Sequence, residues 1–252
     1  MEGYVKATIA SDGIATITFH HPAQNSLPGK ILNEIALKID EIGASKDAKL
    51  IILKSEGSRV FCAGASFEEL SSITNKEAGR EFFSGFSKII IACSKCPLII
   101  LGRIHGKAVG GGVGVAAATD YCFATKDASI KLSELVVGIG PFVVGPAVER
   151  KVGLSAYSQL ALNAAVFYDA QWAMSKGLYA AVLDTEELMD VAINEFAKTL
   201  ISYNMDALKE LKKVFWEGTS HWDTLLNKRA VISGALVLSE HTKTFINTVK
   251  NK

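Results

Sequence analysis

The sequence has almost no net charge, no long apolar run and no signal-peptide pattern in its first residues. These absences argue against nucleic acid and membranes as partners and against a secretory signal. Its 27 Lys and Arg balance 26 Asp and Glu, which leaves a formal charge of +1 at pH 7. A nearly neutral surface has no long-range attraction for nucleic acid or an anionic membrane, so we expect neither as a partner. The longest uncharged run, residues 135–148, contains glycine and proline and is shorter than the about 20 residues of a bilayer span. Residues 1–10 alternate like a strand rather than a signal peptide, and we therefore expect a cytoplasmic protein.

The four cysteines do not form a recognisable disulfide or metal framework. Cys93 and Cys96 make one C-x-x-C, but no second pair or spaced histidine pair supplies the other ligands of a zinc site. Cys62 and Cys122 stand alone. We interpret all four as reduced thiols that serve as small buried side chains, and we expect no metal site.

Polar and apolar residues alternate over residues 4–19 on both sides of Asp12 and Gly13, which predicts a β-hairpin. Helical and strand patterns then follow one another through the first half of the chain. The expected order is helix 28–43, strand 49–55, helix 76–94, strand 98–104, a short helix after a glycine cluster, strand 121–125, and then mainly helices with one strand at 179–183.

This order of elements predicts an α/β fold with a helical C-terminal region. Residues 13–43, 49–94 and 98–118 each consist of a strand followed by a helix, which suggests a loose structural repeat. No linker rich in Pro, Gly or Ser divides the chain.

The glycine cluster lies in "GKAVGGGVGVAAATDY", residues 106–121. Part of it satisfies the dinucleotide-binding pattern G-x-G-x-x-A, with Glu134 about twenty residues further on. A dinucleotide fold needs a crossover of roughly a dozen residues, yet only seven residues separate Gly112 from Asp120. The spacing therefore disfavours a nucleotide site, and a purely structural glycine turn is the other simple interpretation.

Two loops of similar character point instead to an oxyanion hole. "RVFCAGASFEEL" and "GKAVGGGVG" each follow a buried strand and are rich in small residues. Backbone N–H groups from two such loops can converge on one carbonyl oxygen, and small residues allow that oxygen to approach.

These segments resemble the crotonase superfamily, the enoyl-CoA hydratase and isomerase family. "FCAGASFEEL" is similar to the family's first oxyanion segment, F-x-A-G-A-D-x-x-E-L, and "GGGVGVAAATDYCFATKDASIKLSELVVGIGP" to the second segment and its P-E-x-x-L-G-x-x-P stretch. "HHPAQNSL" matches the early x-P-x-x-N-x-L. The resemblance implies a crotonase-like fold of stacked ββα units over residues 1–195. It also implies a C-terminal helical trimerisation region over residues 196–252, and hence a homotrimer or a hexamer formed as a dimer of trimers.

The resemblance also assigns roles to residues. The oxyanion donors fall on the amides of Ala65 and Gly111, and Ser66, Phe67 and Glu68 fall where the family contacts the CoA portion of its substrate. Ser66 replaces a frequent aspartate. The implied substrate is an acyl-CoA or acyl-carrier thioester, with no separate cofactor.

Gly114 and Glu134 stand where hydratases of this family place their two glutamates, so only the second acid is present. Hydration of a C=C bond uses two carboxylates, and losing one acid–base partner costs about 10²–10⁴ in rate. Moving a double bond needs a single base. The resemblance therefore favours a Δ3,Δ2-enoyl-CoA isomerase with Glu134 as its catalytic residue, and the apolar neighbours of Glu134 predict a raised pKa.

Two alternatives remain open. A 2-enoyl-CoA hydratase would need a displaced second acid, such as Glu68 or Glu69 turned into the pocket. A non-catalytic protein that binds acyl-CoA or acyl-carrier thioesters would fit if the Glu134 carboxylate pointed away from the space between the Ala65 and Gly111 amides. The simpler interpretation of Glu134 by itself is an exposed or ion-paired surface glutamate. We interpret Asp120 as a cap or ion-pair residue and His105 as structural.

Overall fold

A computed structural model describes residues 2–250, and its first element is the predicted hairpin. Strand β1 (Tyr4–Ile9) pairs antiparallel with strand β2 (Ile14–His20). Gly13 has a φ of +92° in the turn, a conformation that favours glycine. The first amide of β2 donates a hydrogen bond to Oδ1 of Asp12 at 3.0 Å. The hairpin prediction is confirmed.

The other strands divide into buried strands of five or six residues and pieces of only two or three. The longer ones are confirmed at the predicted places, whereas several short ones have too few residues to show an alternating pattern. The strands are β3 (Ser26–Leu27), β4 (Leu50–Ser55), β5 (Val60–Cys62), β6 (Gly64–Ala65), β7 (Ile99–Ile104), β8 (Lys107–Val109), β9 (Tyr121–Thr125), β10 (Ser129–Lys131), β11 (Tyr168–Asp169) and β12 (Ala181–Leu183).

Each long helix of the first half buries one apolar face, as Ile31, Ile35 and Ile39 do in the first of them. Within residues 2–250 no helix has both the length and the apolar composition required to cross a bilayer. The helices are α1 (Gly29–Ala44), α2 (Phe67–Ser72), α3 (Lys76–Lys95), α4 (Gly111–Ala118), α5 (Glu134–Val137), α6 (Gly145–Leu162), α7 (Ala170–Ser175), α8 (Glu186–Ile201), α9 (Met205–Phe215), α10 (Trp222–Leu236) and α11 (Glu240–Lys250).

The strands form two main sheets and one small one. A six-stranded sheet has the order β1-β2-β4-β7-β9-β12 and is parallel except at β1, while a four-stranded sheet has the order β11-β10-β8-β5. A two-stranded sheet joins β3 to β6. Each predicted strand–helix unit thus contains at least one further short strand before its helix, which gives the expected ββα units. The predicted α/β fold with a helical C-terminal region is confirmed.

Helix α10 packs directly against helix α3 of the first half through two glycines. A Cβ built on Gly79 would lie 2.7 Å from the Cα of Gly234, so the two backbones are too close for larger residues. This contact places α10 beside α3. The division of the chain at residue 195 into a core and a trimerisation region stays a prediction.

Asp120 joins the core to the C-terminal helices through a buried polar network. Its Oδ2 lies 2.5 Å from Nζ of Lys212, and its Oδ1 accepts a hydrogen bond from Nε1 of Trp216 at 2.9 Å. Its backbone oxygen accepts a further hydrogen bond from Lys151 at 2.8 Å. The structural interpretation of Asp120 as an ion-pair residue is confirmed.

The cysteines are buried and unpaired, as expected. Cys62, Cys93 and Cys122 have 1% exposure or less, and Cys96 has 4%. Burial in apolar surroundings raises the pKa of the Cys62 and Cys122 thiols to about 12. These thiols therefore remain protonated and fill space in the core.

Candidate active site

The two glycine-containing loops meet because the strands that precede them are neighbours. Strand β5 pairs parallel with β8, so the loops that follow these two strands leave the four-stranded sheet at the same edge. A Cβ built on Gly64 would lie 3.9 Å from the backbone nitrogen of Gly111 and 3.2 Å from the oxygen of Val109. The structure thus brings together the two segments that the sequence places far apart.

The second loop presents the amide of Gly111 at the start of a helix. Gly111 is the first residue of α4, so its N–H lies outside the repeating hydrogen bonds of the helix. Gly110 before it has φ +53° and ψ −116°. The Phe86 ring packs against Gly111 in the space that any Cβ there would need, so a larger residue would have to displace this ring.

The first loop presents Ala65 from a segment that is fixed on both sides. Ser26 Oγ donates a hydrogen bond to the oxygen of Ala65 at 3.0 Å, and the amide of Ser66 donates to the oxygen of Leu27 at 2.9 Å. These bonds hold the backbone of β6 against β3, which fixes the position of the Ala65 amide.

Asn25 holds the first loop in place through side-chain hydrogen bonds that the sequence pattern alone does not predict. Its Nδ2 donates hydrogen bonds to the oxygens of Glu56 at 2.8 Å and Val60 at 3.0 Å, while its Oδ1 accepts one from the amide of His21 at 2.8 Å. The residue has a φ of +54°, which asparagine tolerates better than most side chains. Asn25 therefore positions the chain that enters β5.

Glu134 lies next to the glycine loop and is partly buried. It is the first residue of α5, and its Oε1 would lie 3.1 Å from a Cβ built on Gly110. Its Oε2 is buried and has no hydrogen-bond partner within residues 2–250. Burial raises the pKa of the Glu134 carboxyl to about 7. The expected direction of the pKa shift is confirmed, and an exposed or ion-paired glutamate is excluded.

Ala65, Phe67, Gly111 and Glu134 line a single cavity of about 460 Å³. Its size and largely apolar lining are typical of a small-molecule site. Glu134 supplies the only carboxylate among the described lining residues. The arrangement places one weakly acidic group beside two backbone segments that can donate hydrogen bonds.

The other acids of the first loop do not reach this cavity. Glu68 is exposed, and Oε2 of Glu69 accepts a hydrogen bond from the amide of Gly29 at 2.9 Å. Ser66 is buried, and its Oγ caps helix α2 by accepting a hydrogen bond from the Glu69 amide at 3.3 Å. Of the three residues assigned to CoA contact, only Phe67 lines the cavity.

Val144 fills the space beside position 114, a contact that no local sequence pattern predicts. A Cβ built on Gly114 would lie 2.5 Å from Cγ1 and 2.7 Å from Cβ of Val144. Val144 is 4% exposed and lines the cavity. Its contact with Gly114 spans about thirty residues of sequence, so only the tertiary structure reveals it.

His105 lies outside the cavity, in agreement with its structural interpretation. It is 3% exposed, and both ring nitrogens lack a hydrogen-bond partner within the described residues. Burial lowers the pKa of the His105 ring, which favours the neutral form.

The fold and the two-loop site define a known class of protein. The family model described as enoyl-CoA hydratase/isomerase matches residues 10–244. This chain belongs to the enoyl-CoA hydratase/isomerase family.

Among individual relatives, a probable enoyl-CoA hydratase of Bacillus subtilis is 33% identical over 52% of this chain and 51% of its own length. Methylglutaconyl-CoA hydratase of Mus musculus is 31% identical over 67% of this chain and 54% of its own length. The chain therefore spans about half the length of these two relatives. Short-chain-enoyl-CoA hydratase of Clostridium acetobutylicum is 29% identical over 81% of this chain and 78% of its own length.

Solved structures show the same fold at lower identity. An enoyl-CoA hydratase from Bacillus halodurans superposes with a TM-score of 0.88 and 20% identity, covering 97% of this chain and 99% of the other. An enoyl-CoA hydratase/isomerase from Xanthobacter autotrophicus has a TM-score of 0.87 and 21% identity, covering 98% and 93%.

Proposed function

We propose that this chain moves the double bond of a 3-enoyl thioester to the 2 position, with Glu134 as its single acid–base group. One observation carries the proposal. The cavity contains the buried carboxylate of Glu134, with a pKa of about 7, and no second carboxylate among its described lining residues. A general base works best when its pKa lies near the operating pH.

In the proposed reaction the ionised Glu134 removes a proton from C2 of the 3-enoyl thioester. The electrons move to the thioester oxygen, giving a dienolate that accepts hydrogen bonds from the amides of Ala65 and Gly111. The protonated Glu134 then returns the same proton to C4, and the product is the 2-enoyl thioester. Removing one donor of such a hole typically costs about 10²–10³ in rate.

Phe67 and Ser66 have different proposed roles at the substrate. Phe67 contacts the bound thioester from the cavity wall, while Ser66 acts indirectly by capping α2 and holding the loop. Glu68 is exposed beside this loop, where it can meet only the solvent side of a CoA or carrier group. The proposed substrate is an acyl-CoA or acyl-carrier thioester that needs no further cofactor.

Hydration of a 2-enoyl thioester is the second candidate, because the relatives described above are named as hydratases. It would require water to be activated by Glu134 alone, since Val144 fills the space beside Gly114. The third candidate function is binding of the thioester without any chemical transformation.

The assembly implied by the family is also proposed here, as a homotrimer or a dimer of trimers. Leu211, Val214 and Phe215 on α9 are 44–55% exposed, which leaves apolar surface on the C-terminal helices. Light scattering of the purified protein should give a mass of three or six chains of 27.0 kDa. A monomer at micromolar concentration would contradict the proposal.

The catalytic proposal is tested by incubating the purified protein with 3-enoyl-CoA and following the appearance of the conjugated 2-enoyl thioester. Glu134→Gln keeps the shape of the side chain but cannot take up a proton, and turnover should fall by at least about 100-fold. Glu217→Gln is the matched control, because Glu217 is exposed and outside the cavity. Equal turnover by both variants would show that Glu134 is not the base.

A further inference from the structure

Helix α5 carries Glu134, but its own side chains do not anchor it to the core. The helix is a single turn of four residues, Glu134–Val137, and none of these residues is buried as a whole. Leu135 and Val136 are exposed. One helical turn has little stability without tertiary packing, so the position of the Glu134 carboxyl depends on the contacts at the ends of the helix.

The C-terminal end of α5 is a Schellman motif at Gly138. The backbone of Gly138 has a φ of +95°, in the left-handed region that favours glycine. Its amide donates a hydrogen bond to the Leu135 oxygen at 3.1 Å, and the amide of Ile139 donates one to the Glu134 oxygen at 3.0 Å. The backbone of Glu134 is therefore tied directly to the residues that end its helix.

Helix α11 packs directly on this glycine. A Cβ built on Gly138 would lie 2.6 Å from Oγ1 of Thr242 and 2.6 Å from Cδ2 of His241, so both side chains occupy the space beside the glycine. Ile139, the next residue, is buried in a cluster that includes Ile246 of α11. The end of α5 thus rests on a helix from the other end of the chain.

Thr242 is the fixed point of this contact. It is fully buried, whereas His241 is exposed. Its Oγ1 donates a hydrogen bond to the Leu236 oxygen at 3.3 Å and lies 3.1 Å from Oγ of Ser239. Leu236 is the last residue of α10, the helix whose glycine contact holds it against α3. The Thr242 hydroxyl therefore connects the end of α5 to a helix that is itself fixed on the core.

We propose that Thr242 is a positioning residue for Glu134. Its Oγ1 packs on Gly138, sets where α5 ends, and so keeps the Glu134 carboxyl, one helical turn away, beside the glycine loop. The inference rests on the proposed function in taking Glu134 as the acid–base group. It adds a residue that is absent from the described cavity lining and acts only through α5.

Thr242→Ala removes Oγ1 and leaves space beside Gly138, so α5 can shift and water can reach the Glu134 carboxyl. A displacement of about 1 Å in a catalytic group can cost about 100-fold in rate, and we expect kcat for 3-enoyl-CoA to fall by about tenfold or more. Hydration of the carboxyl also lowers the pKa of Glu134 from about 7 toward its ordinary value of 4.5.

Two further variants of α11 separate positioning from a general effect on the helix. Thr242→Ser keeps Oγ1 and should restore most of the lost kcat. Thr244→Ala makes the same substitution on an exposed residue, whose hydroxyl donates to the Glu240 oxygen at 2.8 Å, and should leave kcat unchanged. Equal losses in Thr242→Ala and Thr244→Ala, or a Thr242→Ser variant as slow as Thr242→Ala, would overturn the inference.

The deciding measurement follows the Glu134 carboxyl itself and needs no turnover. The infrared absorbance of this protonated carboxyl, assigned by its loss in Glu134→Gln, should titrate near pH 7 in the unsubstituted protein and in Thr244→Ala. In Thr242→Ala the midpoint should lie at least about one pH unit lower. An unchanged midpoint in folded Thr242→Ala would overturn the inference, because partial unfolding reduces the amount of active protein without moving the midpoint.

Thr242→Val replaces Oγ1 with a methyl group of similar size and takes the place of Thr242→Ala if circular dichroism shows that the alanine variant does not fold. A lowered midpoint in a protein that does not isomerise 3-enoyl-CoA would reject the proposed reaction and keep this inference. Turnover of 3-enoyl-CoA with an unchanged midpoint would do the reverse.

Discussion

Any side chain at position 114 would place its Cβ 2.5 Å from Cγ1 of Val144, a residue that lines the cavity. The glycine at 114 does not leave an empty place for a second acid. The valine fills that place, and the two residues act as a pair in deciding how many carboxylates the site can hold.

Because Val144 fills the space beside Gly114, we predict that a glutamate introduced at position 114 alone does not create a hydratase. Gly114→Glu should destabilise the protein by about 1–3 kcal/mol through overpacking and should show no gain in hydration of 2-enoyl-CoA. Gly114→Glu combined with Val144→Gly, which removes both Cγ1 and the Cβ at 2.7 Å, should recover part of the lost stability and gain measurable hydration. Urea unfolding and a hydration assay on the same preparations check both effects.

Val144→Gly alone is the control for the double variant. It removes the contact but supplies no carboxylate, so hydration should remain at the level of the unsubstituted protein. If Gly114→Glu alone hydrated 2-enoyl-CoA efficiently, the space at Val144 would be larger than the structure indicates.

The pKa of Glu134 sets the pH dependence of turnover. The base must be ionised before it removes a proton, so kcat/KM for 3-enoyl-CoA should rise about tenfold per pH unit up to about pH 7 and then level off. Assays between pH 5 and 9 at constant ionic strength measure this profile. An inflection near 4.5, the ordinary value for a glutamate, would show that the carboxyl is solvated in the working protein.

The same raised pKa affects stability with a defined sign. Between pH 4.5 and about 7 the unfolded chain ionises at Glu134 while the folded chain keeps its proton, so the free energy of unfolding should fall by up to about 3 kcal/mol from this group. The loss is complete above pH 7. Glu134→Gln cannot ionise, so its stability relative to the unsubstituted protein should increase across that range in urea titrations. A constant difference between the two proteins would contradict the burial of the carboxylate.

The Asp120–Lys212 pair should matter for stability and not for chemistry. Asp120→Ala leaves the buried Lys212 ammonium, 2% exposed, and the Trp216 indole without their partner, and should cost about 3–5 kcal/mol. Asp127→Ala removes an exposed acid and should cost less than about 0.5 kcal/mol. The fraction of Asp120→Ala that stays folded should retain its kcat, and a selective loss of kcat would assign this network to the active site.

The hairpin at Gly13 and the long buried strands follow from local patterns, because alternation and turn residues act within a few positions. The resemblance to the family, and not a local sequence pattern, predicted that Glu134 lies beside the glycine loop. The contact of Val144 with position 114 and the hydrogen bonds of Asn25 arise from contacts between distant segments. Short strands such as β6, with two residues, carry too little pattern to predict.

The most direct test of the single-carboxylate site compares kcat/KM for 3-enoyl-CoA and 2-enoyl-CoA offered separately to the same purified protein. One base with no partner acid predicts isomerisation of the first at least about 100-fold faster than hydration of the second. Hydration of 2-enoyl-CoA at an equal or greater rate would contradict that site.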